Sequence, residues 1–580
     1  MWRGLLAAVA ALLLALASVQ STSAQSTRTV CESGCDHTTI QAAITAASAG
    51  DTIQVAAGTY SGNVTINKNI ILRGAGAATT VIVGNAAGSE PGAVHLTTGR
   101  NGVTIQGFHI KGINGSTPGL EKAAIYLQGS QTNITIQENT IEAIGDAALM
   151  GEYNANNQTI AIHRNQFIGK TFTGDEPATG DQFSVPNVAR QAIVFGGGSG
   201  TTNTGNFTFT NNTVETIAAG TTNGNTLVTL DLVGTNQITG NTFNGKSSSQ
   251  ALRMRGSGTY TLTDNLFTGI YPLAIFRQGG SASNTLTGSA NTDYLDGQNG
   301  DDLISALAGN DVIVGGAGTD TALFSGNYAA STLSFSSTNV LVNGPDGNDS
   351  VTGVEKLQFA DKAVIVVGSA VGSAYTTIQA AINAASAGDV VLVAAGTYTL
   401  TSVLTLNKSV TIRGSNAGIA AAVGTGVQPS GRVAETVIQT TSDDNTIFIA
   451  ASGIVLDGLT LQGPSRMIRN SVAADNVTVK NSIVQSTGTS GVTEMIQTFG
   501  AGTRDGWQFT NNRFTGNYNN GVILFAAGFA GNVGTKVEGN DFLAAGNRYL
   551  FGTPANLLLK GNYFSAASNT AINLNGLSAP

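Results

Sequence analysis

Apolar and polar residues alternate in short runs along almost the whole chain, and two stretches interrupt that alternation with a helical period. In the first, Ile40, Ala43, Ile44 and Ala47 fall on one helix face, Thr38 or Thr39 can cap the start, and Gly50 ends it. Asp51-Thr-Ile-Gln-Val follows as a strand, Gly58-Thr-Tyr60 as a turn, and Asn63 to Gly74 as further strand. The second helical stretch repeats the first almost letter for letter from Thr376, with Gly388, Gly396-Thr-Tyr398, Leu404-Thr-Leu-Asn-Lys408 and Val410-Thr-Ile-Arg-Gly414 in the matching places. A stack of short strands has open ends that invite aggregation, so a helix that starts each stack reads as its lid. Two lids predict two stacks.

Between the lids a looser repeat recurs: apolar-x-x-Asn-x-apolar, usually followed by Gly. Examples are Ile136 to Ile141 around Asn139, Ile162 to Phe167 around Asn165, and Phe209 to Val214 around Asn212, then the units around Asn241 and Asn265. The second half has the same pattern around Asn512, Asn540 and Asn562. Spacings are mostly in the twenties, as a solenoid coil requires. Asn tolerates the left-handed conformation of a bend, and stacking would align these side chains into hydrogen-bonded ladders. Asn-x-Thr here therefore reads as structure rather than as a glycosylation signal.

From Gly288 to Leu323 the period changes to nine. Asp293, Asp302, Asp311 and Asp320 end four Gly-rich turns, and Leu295, Ile304, Ile313 and Ala322 follow each in register. A Gly/Asp-rich linker would keep no such phase. The pattern resembles the calcium-binding nonapeptide repeat of RTX proteins, Gly-Gly-x-Gly-x-Asp-x-apolar-x. The resemblance implies calcium bound between turns on one edge of a thin parallel β-roll, two repeats apart. Asp293 then pairs with Asp311 and Asp302 with Asp320, with Gly300, Gly309 and Gly318 in the turns. Calcium takes six to eight oxygens, from carboxylates and backbone carbonyls, and so thin a roll should fold only with metal. The last unit matches fully; Asn291 replaces a glycine, and Ala306-Leu307 replace the opening pair of the third unit. Asp349, in Gly344-Pro-Asp-Gly-Asn-Asp349, has no partner eighteen residues away and reads as a structural turn.

The capped coils resemble secreted right-handed parallel β-helices of the pectin-lyase-like class. The predicted architecture is all-β: two right-handed parallel β-helices, each with a short N-terminal capping helix, joined by an RTX-type β-roll. The expected divisions are a signal peptide over 1–24, a first β-helix over 25–285, the roll and its closing segment over 286–368, and a second β-helix over 369–580.

Composition narrows the partners. The 580 residues carry 75 Gly and 10 Pro, with 41% hydrophobic and only 11% charged, which suits ordered short strands rather than disorder. A net charge of −8 argues against nucleic acid or an anionic membrane as partner. Arg3, the apolar run Leu5 to Leu16 and Ser21-Thr-Ser-Ala24 read as a secretory signal, the run being too short to span a bilayer. The expected location is outside the cell or at its surface. There Cys31 and Cys35 would close a small disulfide loop.

Each coil of the first half also offers a strand after the Asn motif. Alternation turns Ile125, Leu149, Ile193, Leu252 and Ile275 inward. Gln128, Glu152, Asp231, Arg255 and Gln278 then form an outward column, with Tyr126, Arg253 and Phe276 beside it. Such a face can hold a uronate: Arg pairs with the carboxylate, an aromatic meets the sugar ring, and Glu152, Asp231 or Arg255 moves a proton in β-elimination or C5 epimerisation. A surface ion pair between Asp231 and Arg255 explains the same residues without catalysis, and a slip of one residue would turn the column over. The architecture is similar to that of alginate C5-epimerases, but their Tyr-Gly-x-Asp-Pro-His signature is absent. So are the Gly-His-Gly and Arg-Ile-Lys of polygalacturonases, whose paired carboxylates Asp443-Asp444 only loosely matches. His95, His109 and His163 are scattered and read as surface or ladder residues. The two readings left are a secreted calcium-binding protein of the surface or matrix that contacts extracellular polysaccharide, and a polysaccharide lyase or epimerase.

Overall fold

The computed structural model describes residues 25–85, 90–113, 122–144, 147–152, 155–169, 192–195, 203–216, 226–245, 250–256, 258–268, 273–336, 338–441, 445–488, 492–498, 503–525, 533–546, 548–552, 556–565 and 572–574. The expected signal segment 1–24 and the pair Asp443 and Asp444 lie outside them. The chain divides into two compact units, residues 1–252 with 260–271, and 253–259 with 272–580.

The first unit is a parallel β-helix with three sheet faces. One coil shows the plan: Ile134–Gln137 pairs in parallel with Gln158–His163, Thr140–Glu142 with Gln166–Gly169, and Ala123–Leu127 with Ala147–Gly151. Ile125, Leu149 and Ile193 stack in register and are buried, as alternation requires. Helix α1 (Ile40–Ala46) closes the start, with Ile40, Ala43 and Ile44 buried and the Thr39 hydroxyl accepting from the Ala42 amide.

The second unit begins with the roll. Tyr294–Asn299 pairs in parallel with Val312–Ala317, and Leu303–Ser305 with Thr321–Leu323, so alternate nonapeptides share a face. Leu295, Ile304, Ile313 and Ala322 are fully buried between the two faces. An antiparallel excursion, Thr332–Phe335 with Val340–Gly344, interrupts the roll before Gly347–Thr352 rejoins it beside Val312–Ala317. Ala363–Val367 then pairs with Val390–Val393, and a second three-sheeted parallel β-helix runs to the last described residues. Helix α2 (Ile378–Ala384) sits at its start, capped by Thr377.

Both helices are sewn down by the same residues. The Gln41 amide exchanges hydrogen bonds with the Thr65 backbone, at 2.7 and 3.3 Å, and Gln379 does so with Thr405. Lys68 donates to the carbonyls of Thr45 and Ala47, and Lys408 to those of Ile382, Asn383 and Ala385. The last carbonyls of a helix have no partner within it, so a lysine there supplies donors and favourable charge together.

The Asn ladders form. Asn139, Asn165, Asn212, Asn241 and Asn265 hand a side-chain hydrogen bond from coil to coil at 3.0–3.1 Å, and Asn512, Asn540 and Asn562 do so in the second half. The left-handed residue is not the ladder Asn, however, but the one before it: Glu138, Arg164, Asn211, Asp264 and Asn511 have φ of 52–58°. The bend turns on that residue so that the following Asn can point inward, where ladder Asn residues up to Asn241 are buried.

Candidate functional site

The four repeat aspartates are buried, at 0–3% exposed. Each strand-opening Asp uses one oxygen to accept a backbone N–H from eighteen residues upstream. Asp311 Oδ1 takes the Asp293 amide at 2.8 Å and Asp320 Oδ1 takes the Asp302 amide at 2.8 Å. The expected pairs are thus in contact, two repeats apart. The second oxygens of Asp302, Asp311 and Asp320 are buried without any hydrogen-bond partner. A buried carboxylate oxygen without a donor is costly, which makes the site attractive to a hard cation. Burial, then the carboxylates of Asp293, Asp349 and Asp346, push the Asp311 carboxyl up to about 8. Burial also raises Asp293, Asp320 and Asp349 to about 6, and Asp302 upward.

Among the described residues no three His, Cys, Asp or Glu side chains group tightly enough to hold a metal. Two carboxylates per site, completed by turn carbonyls, fit calcium's taste for mixed oxygen ligands. Gly309 shows how little room the turn leaves. Its φ is +147°, and an added Cβ would stand 2.6 Å from the Asn291 carbonyl and 2.8 Å from Asp311 Oδ1. Gly309→Ala is expected to weaken calcium binding about tenfold or more, from the cost of a strained turn; titration calorimetry on the full chain checks it, and unchanged affinity would remove this turn from the site. Gln298 and Leu307 occupy left-handed positions at φ 74° and 71°, where the repeat asks for glycine.

Both stacks of carboxylates are longer than their spacing revealed. Asp349 Oδ1 accepts from the Asp311 amide at 3.0 Å, so it takes the next place after Asp311 although it lies 38 positions further along the chain. Asp349 has no partner eighteen residues away, as expected, but it meets Asp311 because the antiparallel excursion is looped out and the register resumes beyond it. Glu355 likewise takes the place after Asp320, accepting its amide at 2.7 Å. A fixed nine-residue step could not find either.

In the first unit the expected outward column is only partly exposed. Glu152 is half-buried and accepts the Gly129 amide at 2.5 Å, while Asp231 is 2% exposed. Met150 and Val194, in register beside Tyr126, are buried with Ala123 and Ala147 as a small apolar cluster. A parallel sheet commonly buries both faces, and simple alternation does not see that. In the second unit Arg253 and Arg255 are half-buried, and Phe276 stacks on Tyr294 with ring centres 5.1 Å apart.

His95, read from sequence as a surface or ladder residue, is instead the centre of a polar group. Its Nδ1 lies 2.7 Å from Glu90 Oε2, its Nε2 lies 3.1 Å from the Gln128 side-chain amide, and its ring meets Tyr126 edge-on at 5.8 Å. The Lys122 ammonium donates to the Glu90 carbonyl at 2.9 Å. The carboxylate on one ring nitrogen and the Gln128 Oε1 on the other fix the orientation of the ring between two coils. The signal in sequence was only that His95 and Tyr126 each sit on the third sheet strand of adjacent coils, which needs the register to read. His109 pairs with Glu142 at 3.0 Å and His163 with Thr210, both along the stack. Cys31 and Cys35 are joined in a disulfide.

The RTX calcium-binding nonapeptide repeat model matches residues 278–304 and 287–322, in four copies. No curated protein matches the chain. Among solved structures, an alginate lyase from Paenibacillus sp. str. FPU-7 is 15% identical with a TM-score of 0.28, covering 51% of this chain and 93% of its own. A PL6 family alginate lyase is 12% identical with a TM-score of 0.22, covering 92% and 98%. Pectin methylesterase PemA from Erwinia chrysanthemi is 11% identical with a TM-score of 0.22, covering 57% and 89%. The chain thus carries RTX-type repeats within an almost all-β, parallel β-helical protein. No helix among the described residues is long and apolar enough to cross a membrane.

Proposed function

We propose that this is an exported protein of the cell surface or matrix, whose roll binds calcium and whose β-helices bind acidic extracellular polysaccharide. The observation that carries the calcium part is the set of buried, partnerless oxygens on Asp302, Asp311 and Asp320. Asp293, Asp302, Asp311 and Asp320, with turn carbonyls at Gly300, Gly309 and Gly318, are the ligands this reading assigns. Calcium held there would neutralise the charge of the buried carboxylates. Polysaccharide binding is supported by parallel sheet faces that carry half-exposed aromatic and arginine side chains, among them Phe448, Arg469 and Phe551. Affinity electrophoresis against alginate, pectate and neutral glycans tests it: retardation by the acidic polymers is expected, and equal mobility in all of them ends the glycan-binding reading.

A second reading is an enzyme, a polysaccharide lyase or C5-epimerase. The His95–Glu90 pair beside Tyr126 favours it, because both reactions begin by moving a proton. Glu152 and Asp231 are further candidates within the first unit, with Tyr126 as a sugar contact, whereas Arg255, Arg253 and Phe276, expected beside them, belong to the second unit. Incubation with polyuronates, following absorbance of unsaturated products and proton exchange at C5, separates the two. Turnover that His95→Ala abolishes is the result expected of an enzyme; no turnover on a broad panel removes lyase and epimerase. Turnover that survives both Asp231→Ala and Arg255→Ala would take those two residues out of the site.

A further inference from the structure

The third sheet of the second β-helix aligns aromatic, arginine and glutamine side chains in one column. Its strands Ile447–Ile449, Ile468–Asn470, Val492–Thr498, Tyr518–Phe525 and Leu550–Gly552 stack in parallel register. One half-exposed column across them reads Phe448, Arg469, Gln497, Leu524, Phe551. At about 4.8 Å per strand, the two phenylalanines stand roughly 19 Å apart with the arginine and glutamine between.

Three details make this more than a row of side chains. First, the Phe551 ring lies against the backbone of Gly521, where an added Cβ would run into it. The glycine lets the ring lie close over the sheet, and Arg548 caps it at 5.4 Å from the ring centre. Second, an acid on one of these strands is already taken: Glu494, 4% exposed, is held by Arg466 at 3.1 Å and by the Asn520 amide at 3.3 Å. Third, Arg469 has no ion-pair partner among the described residues, and its Nε–H is buried without an acceptor. Among the described residues Arg469 thus stands on this sheet without an acid beside it, in a chain whose net charge is −8.

We propose that this face is a binding site for a linear acidic polysaccharide, of the polyuronate class. Phe551 and Phe448 offer flat apolar surfaces to sugar rings, and Arg469 pairs with a carboxylate of the polymer between them. Gln497 offers hydrogen bonds to hydroxyl groups. The site deepens the glycan-binding reading and rests on it, but it is separate from the first unit's His95 group and needs no proton transfer.

The test uses the full calcium-loaded chain and oligomers of alginate and polygalacturonate, with affinity from titration calorimetry. Arg469→Ala and Phe551→Ala are each expected to weaken binding about tenfold or more, as truncation of buried anchors does. Lys560→Ala, an exposed cation on another sheet of the same β-helix, is expected to change it less than about twofold. Arg469→Lys keeps charge and bulk but loses the fork, so it too must weaken binding, while Phe551→Tyr must preserve it; these two decide the matter if the alanine variants lose their fold. Wild-type affinity in the Arg469 variants, or in Phe551→Ala with its fold intact, overturns this site and leaves glycan binding elsewhere standing. No binding by the wild type removes both readings together.

Discussion

Excess EGTA added to the calcium-loaded protein is expected to unfold the roll, with loss of strand signal and new protease cuts within residues 288–323. Each site saturated at one hundred times its dissociation constant contributes about 2.7 kcal/mol, so two sites supply roughly 5 kcal/mol, a large part of a typical domain's stability. The metal-free roll should also respond to pH in a definite direction. Asp293, Asp320 and Asp349 are raised to about 6 and Asp311 to about 8, against roughly 3.9 for an unfolded Asp. Between those values the folded state binds more protons than the unfolded one. Metal-free stability is therefore greatest below about pH 4 and falls as pH rises through 6 and then 8. Calcium affinity moves the opposite way, because the ligands must lose their protons to bind. The gap between the unfolding midpoints with calcium and with EGTA should be widest near pH 8 and narrow at pH 5. A chelator that leaves the circular dichroism and protease resistance unchanged at pH 8 would sink the calcium assignment.

Asn212→Ala is expected to destabilise the first β-helix by about 4 kcal/mol. The Asn212 side chain accepts from the Asn165 backbone at 2.9 Å and side chain at 3.1 Å, and donates to the Ile162 carbonyl at 2.9 Å and to Asn241 Oδ1 at 3.1 Å. Alanine leaves the Asn165 N–H and the Ile162 carbonyl buried without partners, at about 1–3 kcal/mol each, and breaks the ladder. Asn265 ends the ladder half-buried, donating to the Ile238 carbonyl, so Asn265→Ala should cost about half as much. Urea denaturation followed by far-UV circular dichroism measures both. Equal losses at the two positions would show that the ladder does not act as a chain of buried partners.

Much of the architecture was legible because solenoids repeat it. The duplicated lid motif placed both helices, down to their Thr caps, since capping is local chemistry within a few residues. The Asn motif placed the ladders, because coils of nearly constant length bring like residues above like. The nine-residue phase placed the contacts of Asp293 with Asp311 and of Asp302 with Asp320 for the same reason.

What escaped the sequence lay wherever neighbours in space are not a fixed step apart in the chain. Asp349 and Glu355 join the aspartate stacks across insertions, so no period announces them. His95 gains Glu90, Gln128 and Tyr126 from its own loop and the next coil, and only the strand register brings those together. The sequence by itself determined the repeating parts: lids, coils, ladders, and the turns that bring aspartates two repeats apart into contact. The tertiary structure alone decided which side chains are buried, that Arg469 has no acid beside it among the described residues, and where a glycine lets a ring approach the sheet. Burial and charge pairing are set by the coils above and below. Those depend on how many residues each loop takes up, and that length varies freely along a solenoid whose strands do not.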